Sequence, residues 1–115
     1  MKLLVTAAIV LAALAFLACL ATCNHQHSTR LNREVALRHD LFEMRRAIDD
    51  YYADKRRWPE TVDDLVRSKY LRVVPRDPIT GSATTWIPVR KEGSVHDIRS
   101  GADGKGRDGT PYRSW

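Results

Sequence analysis

The feature that most constrains this chain is an uninterrupted apolar run from Leu3 to Thr22, preceded by a single charge at Lys2. A bilayer-spanning helix needs about 20 such residues, whereas the apolar core of a cleavable secretory signal is usually about 7–15. The run is long enough to span. It leaves roughly residues 24–115 for one small domain, whose core must be modest because its surface is large relative to its volume.

Three fates are open to the N-terminal segment. It can remain as an uncleaved anchor. It can be cut by signal peptidase, with Cys19 and Ala21 as the small residues before the cut. It can be lipidated at Cys23, since Leu20-Ala21-Thr22-Cys23 approaches a bacterial lipobox, although Thr directly before the cysteine is unusual. The flanking charges, Lys2 on one side and Arg30, Arg33 and Arg38 on the other, do not fix the orientation.

Past a polar interlude at 24–28 the pattern becomes helical. Leu37, Leu41, Met44, Ile48 and Tyr51 step by four, three, four and three, which draws one apolar stripe. No Gly or Pro interrupts residues 3–58, so the spacing predicts one very long helix, continuing to about Lys55, that Trp58-Pro59 stops. Thr61 with Asp64 three residues on predicts a capped short helix through Val62, Leu65 and Val66 to about Lys69, with Tyr70-Leu71 turning back to the core. The DPITG segment, 77–81, reads as an extended loop. Thr85–Val89 and Val95–Ile98 read as strands joined by a turn over 90–94. The last stretch, SGADGKGRDGTPYRSW, is irregular by its glycine content, and its terminal tryptophan is expected to pack back. The fold class is therefore α+β: a long N-terminal helix packed on a short helix and a small antiparallel sheet, with an ordered C-terminal loop. The apolar stripe should be covered by Trp58, Val62, Leu65, Leu71, Trp86, Val89 and Ile98.

Composition narrows the chemistry. Formal net charge is +5, mostly in mixed pairs such as Asp54/Lys55 and Asp63/Arg67, and no basic stripe is interleaved with aromatics. Nucleic acid is not an expected partner. Both cysteines lie in or at the end of the apolar run, so the domain is no disulfide scaffold. Cys19, Cys23, His25 and His27 are thiolate and imidazole ligand types, but C-x3-C-x-H-x-H matches no familiar zinc spacing. There is no nucleophile motif, and GADGKG lacks the following helix start of a phosphate loop. An enzyme is not expected.

The stretches AIDDYYADKRRWPETVDDLV (47–66), DPITG (77–81) and DIRSGADGKGRDGTPYRSW (97–115), behind an apolar N-terminal helix, resemble the major pseudopilin of the type II secretion system and its prepilin-type, pilin-like relatives. The resemblance covers essentially the whole chain. It implies a pilin-like fold with residues 1–23 as the membrane segment and 24–115 as the globular domain. It also implies a structural subunit of a type II secretion or type IV pilus-like apparatus, held in the bacterial inner membrane with its domain in the periplasm. Its expected partners are membrane lipid, other pilin-like subunits or itself through the N-terminal helix, and the membrane proteins of the apparatus. Calcium is implied in the C-terminal loop, with Asp103, the aspartate of GADG, as ligand and Asp108 and Ser100 as the candidates to complete the set; oxygen donors on a flexible loop suit that ion. Asx-type turns at Asp103 and Asp108 are the metal-free alternative. The chain departs from the family where prepilin peptidase and assembly need a leader glycine and a glutamate. Counted back from Trp58-Pro59, the glutamate position falls near Thr6. The rival expectation is a membrane-anchored or lipidated periplasmic binding module that uses a pilin scaffold to bind protein, peptidoglycan or DNA.

Overall fold

A computed structural model describes residues 1–115, the side chain of His27 excepted. Helix α1 runs Lys2–Lys55, α2 Val62–Arg67, strand β1 Ile87–Lys91 and β2 Ser94–Arg99, and a 3-10 turn covers Tyr112–Ser114. The architecture is α+β, with one long N-terminal helix and a two-stranded antiparallel sheet. The chain divides into two compact units, Met1–Asn32 and Arg33–Trp115, which are described separately.

The first unit is helix with its apolar side chains fully or largely exposed; Leu3, Leu11 and Phe16 are each about two-thirds exposed or more. Its threonine hydroxyls are satisfied within the helix. Thr6 donates to the carbonyls of Lys2 and Leu3 (3.0 Å each) and Thr22 to that of Cys19 (2.8 Å). A helix of this kind presents no unmet polar side chain along its apolar length, which is what a hydrocarbon environment demands.

In the second unit the predicted stripe is the core. Leu37, Leu41, Met44, Ile48 and Tyr51 are buried and are joined by Ala47, Leu65, Trp86, Val95, Ile98, Ala102 and Tyr112. Trp58, Val62 and Leu71 pack against them partly buried, as the sequence pattern expects. The helix ends at Lys55, as expected, and the stop is made ahead of the proline: Arg56 adopts φ 56°, a left-handed conformation two residues before Trp58. Trp58-Pro59 serves instead as an anchor. The indole lies between Tyr52 (centroids 4.2 Å) and His96 (4.4 Å), and the Pro59 carbonyl accepts from Val95 N–H at 2.7 Å.

The capping box opening α2 forms as its sequence dictates. Thr61 Oγ1 accepts from Asp64 N–H (3.2 Å), and the Asp64 carboxylate accepts from Thr61 N–H (3.0 Å). The helix closes with Tyr70 N–H donating to Leu65 C=O and Lys69 N–H to Val66 C=O, a Schellman motif with Lys69 at φ 65° in the position that favours glycine.

The hairpin corrects the expected strands. β1 begins at Ile87 rather than Thr85, and the turn is two residues, Glu92-Gly93, both at positive φ (53° and 82°), rather than five. Trp86 stays out of the strand because its ring is buried and its Nε1–H donates to the Pro75 carbonyl at 2.8 Å. Val89 pairs with Asp97 and is only half-buried, so Val95 takes the core place expected for Val89. Val95 and Ile98 are three apart and cannot share a face in a strict two-residue alternation. A register irregularity beside Val89/Arg90 leaves His96 unpaired and restores the phase, so both are fully buried.

Candidate functional site

The C-terminal loop is held by three polar side chains, two from α1 and one from the DPITG loop. Asp77, in the DPITG loop, is fully buried. Its Oδ1 accepts from Ile79 N–H (2.8 Å) and Thr80 N–H (3.3 Å), an Asx-type turn, while Oδ2 accepts from the Ser100 hydroxyl at 2.6 Å. Glu34, buried on the same helix face as Leu37, accepts through Oε1 from Arg107 N–H (3.0 Å) and from the Tyr112 hydroxyl (2.9 Å). Arg45 donates to Asp97 Oδ1 (2.8 Å), to the Ile98 carbonyl (2.9 Å) and to the Trp115 main-chain oxygen (2.9 Å). Helix, strand and loop are thus tied by one guanidinium, whose planar fork suits several acceptors at once.

Trp115 packs back as expected. Its ring meets Tyr112 edge-on (5.1 Å), lies under the Arg38 guanidinium (4.3 Å), and its Nε1–H donates to Thr110 Oγ1 (2.7 Å). The turn beneath it needs Gly106, where a Cβ would overlap the indole.

The three residues expected to bind calcium are engaged separately. The Ser100 hydroxyl is buried against Asp77, and its oxygen also accepts from Ala102 N–H (3.1 Å). Asp103, with its side chain about 95% exposed, accepts from Arg113 at 3.0 Å. Asp108 accepts from Thr110 N–H (2.9 Å) and Oγ1 (2.6 Å) and pairs with Arg38 at 3.4 Å. The hydrogen bonds from Thr110 hold the Asp108 carboxyl below the usual range, with Arg38 adding to the effect. Asp108 therefore makes the Asx turn of the metal-free alternative, whereas Asp103 is ion-paired. Two arginines stand beside the carboxylates where a cation would, and calcium there has to displace them. Among the described residues no three His, Cys, Asp or Glu side chains converge as a metal site. Cys19 and Cys23 are exposed free thiols, and the His27 side chain lies outside the described residues.

Beside the loop, α1 and the C-terminal residues enclose an open groove of about 480 Å³, with Arg38, Phe42, Arg45, Asp108 and Trp115 on its walls. Phe42 is 60% exposed there.

Sequence reasoning gave no role to Glu34, Arg45 or Asp77. For Glu34 a signal existed: it lies three residues before Leu37, a carboxylate on an otherwise apolar stripe. Asp77, opening DPITG, carries the signal of a local Asx-type turn but none of its bond to Ser100, and Arg45 carries no local signal.

In comparisons with known proteins, no family model, no curated protein and no solved structure matches this chain.

The fold, then, offers one apolar helix long enough to cross a membrane, one small clasped domain and one aromatic–arginine groove.

Proposed function

We propose that this chain is a structural, non-enzymatic pseudopilin-like subunit of a type II secretion or type IV pilus-like apparatus. The apolar half of α1 anchors it in the bacterial inner membrane, and the domain lies in the periplasm. Subunits assemble through that helix. The observation that carries this reading is an exposed apolar helical length near the N-terminus sufficient to cross a membrane, in a chain whose α+β domain is built on a buried helical stripe. The sequence stretches that resemble pseudopilins support it, as does a C-terminal loop fastened to the helix by Glu34 and Arg45.

The native thiols provide the test. Cys19 and Cys23 are four residues apart and share one face of the apolar helix, where nearly parallel Cα–Cβ bonds make a mutual disulfide awkward. Mild oxidation of membranes containing the full chain should give a ladder of disulfide-linked oligomers with itself or with another pilin-like chain, and intact mass should show an unmodified N-terminal segment. A monomer under oxidation, or a diacylglycerol mass at Cys23, favours an anchored or lipidated binding module and overturns the assembly reading.

A further inference from the structure

The end of α1 and the chain just past α2 meet at an aromatic pair, Tyr51 and Tyr70, whose rings touch edge-on with centroids 5.5 Å apart. Four cations gather there. Lys55 Nζ stands 5.6 Å from the centre of the Tyr51 ring and the Arg57 guanidinium 5.9 Å, Arg56 lies between them in the chain, and Lys69 adjoins Tyr70. All four are exposed, and among the described residues none of the four side chains makes an ion pair or a hydrogen bond. Neighbouring carboxylates are committed elsewhere: Asp54 accepts from the Tyr70 hydroxyl at 2.7 Å, Asp50 pairs with Arg46 and Asp64 with Arg67. Two of the cations also sit at strained positions. Arg56 (φ 56°) and Lys69 (φ 65°) are the left-handed residues that follow the two helices, where glycine fits without strain. Complementing the carbonyl end of a helix accounts for Lys55 and Arg67 in the last turns. It does not account for long charged side chains on left-handed backbone. Strain kept at exposed, unpaired charge points to a use for that charge.

We propose that Lys55, Arg56, Arg57 and Lys69 form a docking surface for a short acidic segment of another protein, whose carboxylates pair with the four cations. The surrounding charge selects this partner. Nucleic acid or an anionic bilayer would carry its negative charge past the cluster onto Glu60 and Asp63, both exposed, which follow Trp58-Pro59 and open α2. A short peptide need not reach them. A second copy of this chain is a poor occupant. Its acidic residues never run beyond the pairs Asp49-Asp50 and Asp63-Asp64, and one member of each pair is already bonded to an arginine.

The test uses the full chain in phosphatidylcholine nanodiscs, with a fluorescein-labelled hexaglutamate peptide as the probe and fluorescence anisotropy as the readout. The unsubstituted chain should bind the peptide, and more weakly as salt rises. Arg56→Gly with Lys69→Gly removes two charges while relieving both left-handed residues. Its Tm should hold or rise while its affinity for the peptide falls about fivefold or more. Arg76→Gln with Arg99→Gln removes the same charge from exposed positions outside the cluster, and should leave the affinity within about twofold. Absence of peptide binding, an affinity unchanged in the glycine pair, or an equal fall in both double variants overturns the proposal. An oligothymidylate of equal charge, or empty phosphatidylglycerol nanodiscs, that displaces the probe more readily than unlabelled peptide overturns it in favour of nucleic acid or an anionic bilayer.

Discussion

Removing the Asp77 carboxylate isolates the link between the DPITG loop and the C-terminal loop. Asp77→Ala deletes one contact to the buried Ser100 hydroxyl (2.6 Å) and two to main-chain N–H groups, of which Ile79 at 2.8 Å is the shorter. Hydrogen bonds to a charged group contribute about 1.5–3 kcal/mol each, and a donor left buried without an acceptor costs about 1–3 kcal/mol. Thr80 is exposed and can turn to water, so two contacts dominate, and the expected loss is about 3–5 kcal/mol. For a domain of this size about 1 kcal/mol moves the midpoint by roughly 4–8 °C, which makes the drop at least about 12 °C. Ser100→Ala removes one of these contacts and also the acceptor of the buried Ala102 N–H, and should cost about 2–4 kcal/mol. Because the two side chains share a bond, the double variant should fall short of the sum of the single losses by about 1–3 kcal/mol. The assay is thermal unfolding of the full chain in detergent, followed by tryptophan fluorescence, since Trp86 and Trp115 report the two regions. Strict additivity would refute the coupling, and an unchanged midpoint for Asp77→Ala would refute the burial argument itself.

Other substitutions read single devices. Lys69→Gly, at the left-handed residue of the Schellman motif, should raise stability by about 1 kcal/mol; a loss in urea unfolding contradicts the cap. Burial raises the Asp40 pKa above its ordinary value, opposed by His39 and reinforced by Asp77. A raised folded-state pKa means a contribution present below the unfolded pKa and lost as pH rises through the folded one. Asp40→Asn should therefore stabilise at pH 7 and lose that advantage at about pH 3, below the ordinary carboxylate range, which unfolding curves at the two pH values check. Calcium at Asp103 and Asp108 competes with Arg113 and Arg38, so Arg113→Gln should enlarge any calcium-induced rise in Tm. No rise in either chain, on calcium titration, removes the two aspartates as ligands.

What the sequence disclosed is what depends on near neighbours in the chain. The Leu37–Tyr51 stripe and the Thr61/Asp64 capping box are readable because helix geometry brings residues three and four apart together. The hairpin was legible as a hairpin, yet its register was not. The irregularity at Val89/Arg90 and the burial of Trp86 against Pro75 are fixed by packing, and a one-residue slip exchanges the two faces of a strand. Hence Val95, not Val89, reaches the core. The contacts of the C-terminal loop were the least legible. Arg45 reaches residues more than fifty positions away, and nothing in its neighbourhood in the sequence distinguishes it from Arg46, which pairs on the surface with Asp50. The same limit applied to the candidate calcium ligands: Ser100 is legible as an oxygen donor, but its commitment to Asp77 depends on a loop twenty-three residues earlier.

That the loop is fastened by polar groups follows from how little apolar surface remains to hold it. A two-stranded sheet and a six-residue helix leave few apolar contacts for residues 100–115, and within that stretch only Ala102 and Tyr112 enter the buried core. Glycine-rich chain loses more conformational entropy on ordering than any other, so it stays ordered only where directional contacts offset that loss. Glu34 does so at Arg107 and Tyr112, Asp77 at Ser100 and Arg45 at Trp115. Two of these three fasteners, Glu34 and Arg45, project from α1 itself. Arg45→Met, which keeps length but not the guanidinium, should therefore loosen the Trp115 environment, read as a change in tryptophan fluorescence. Fluorescence identical to that of the unsubstituted chain would break the link between Arg45 and loop order.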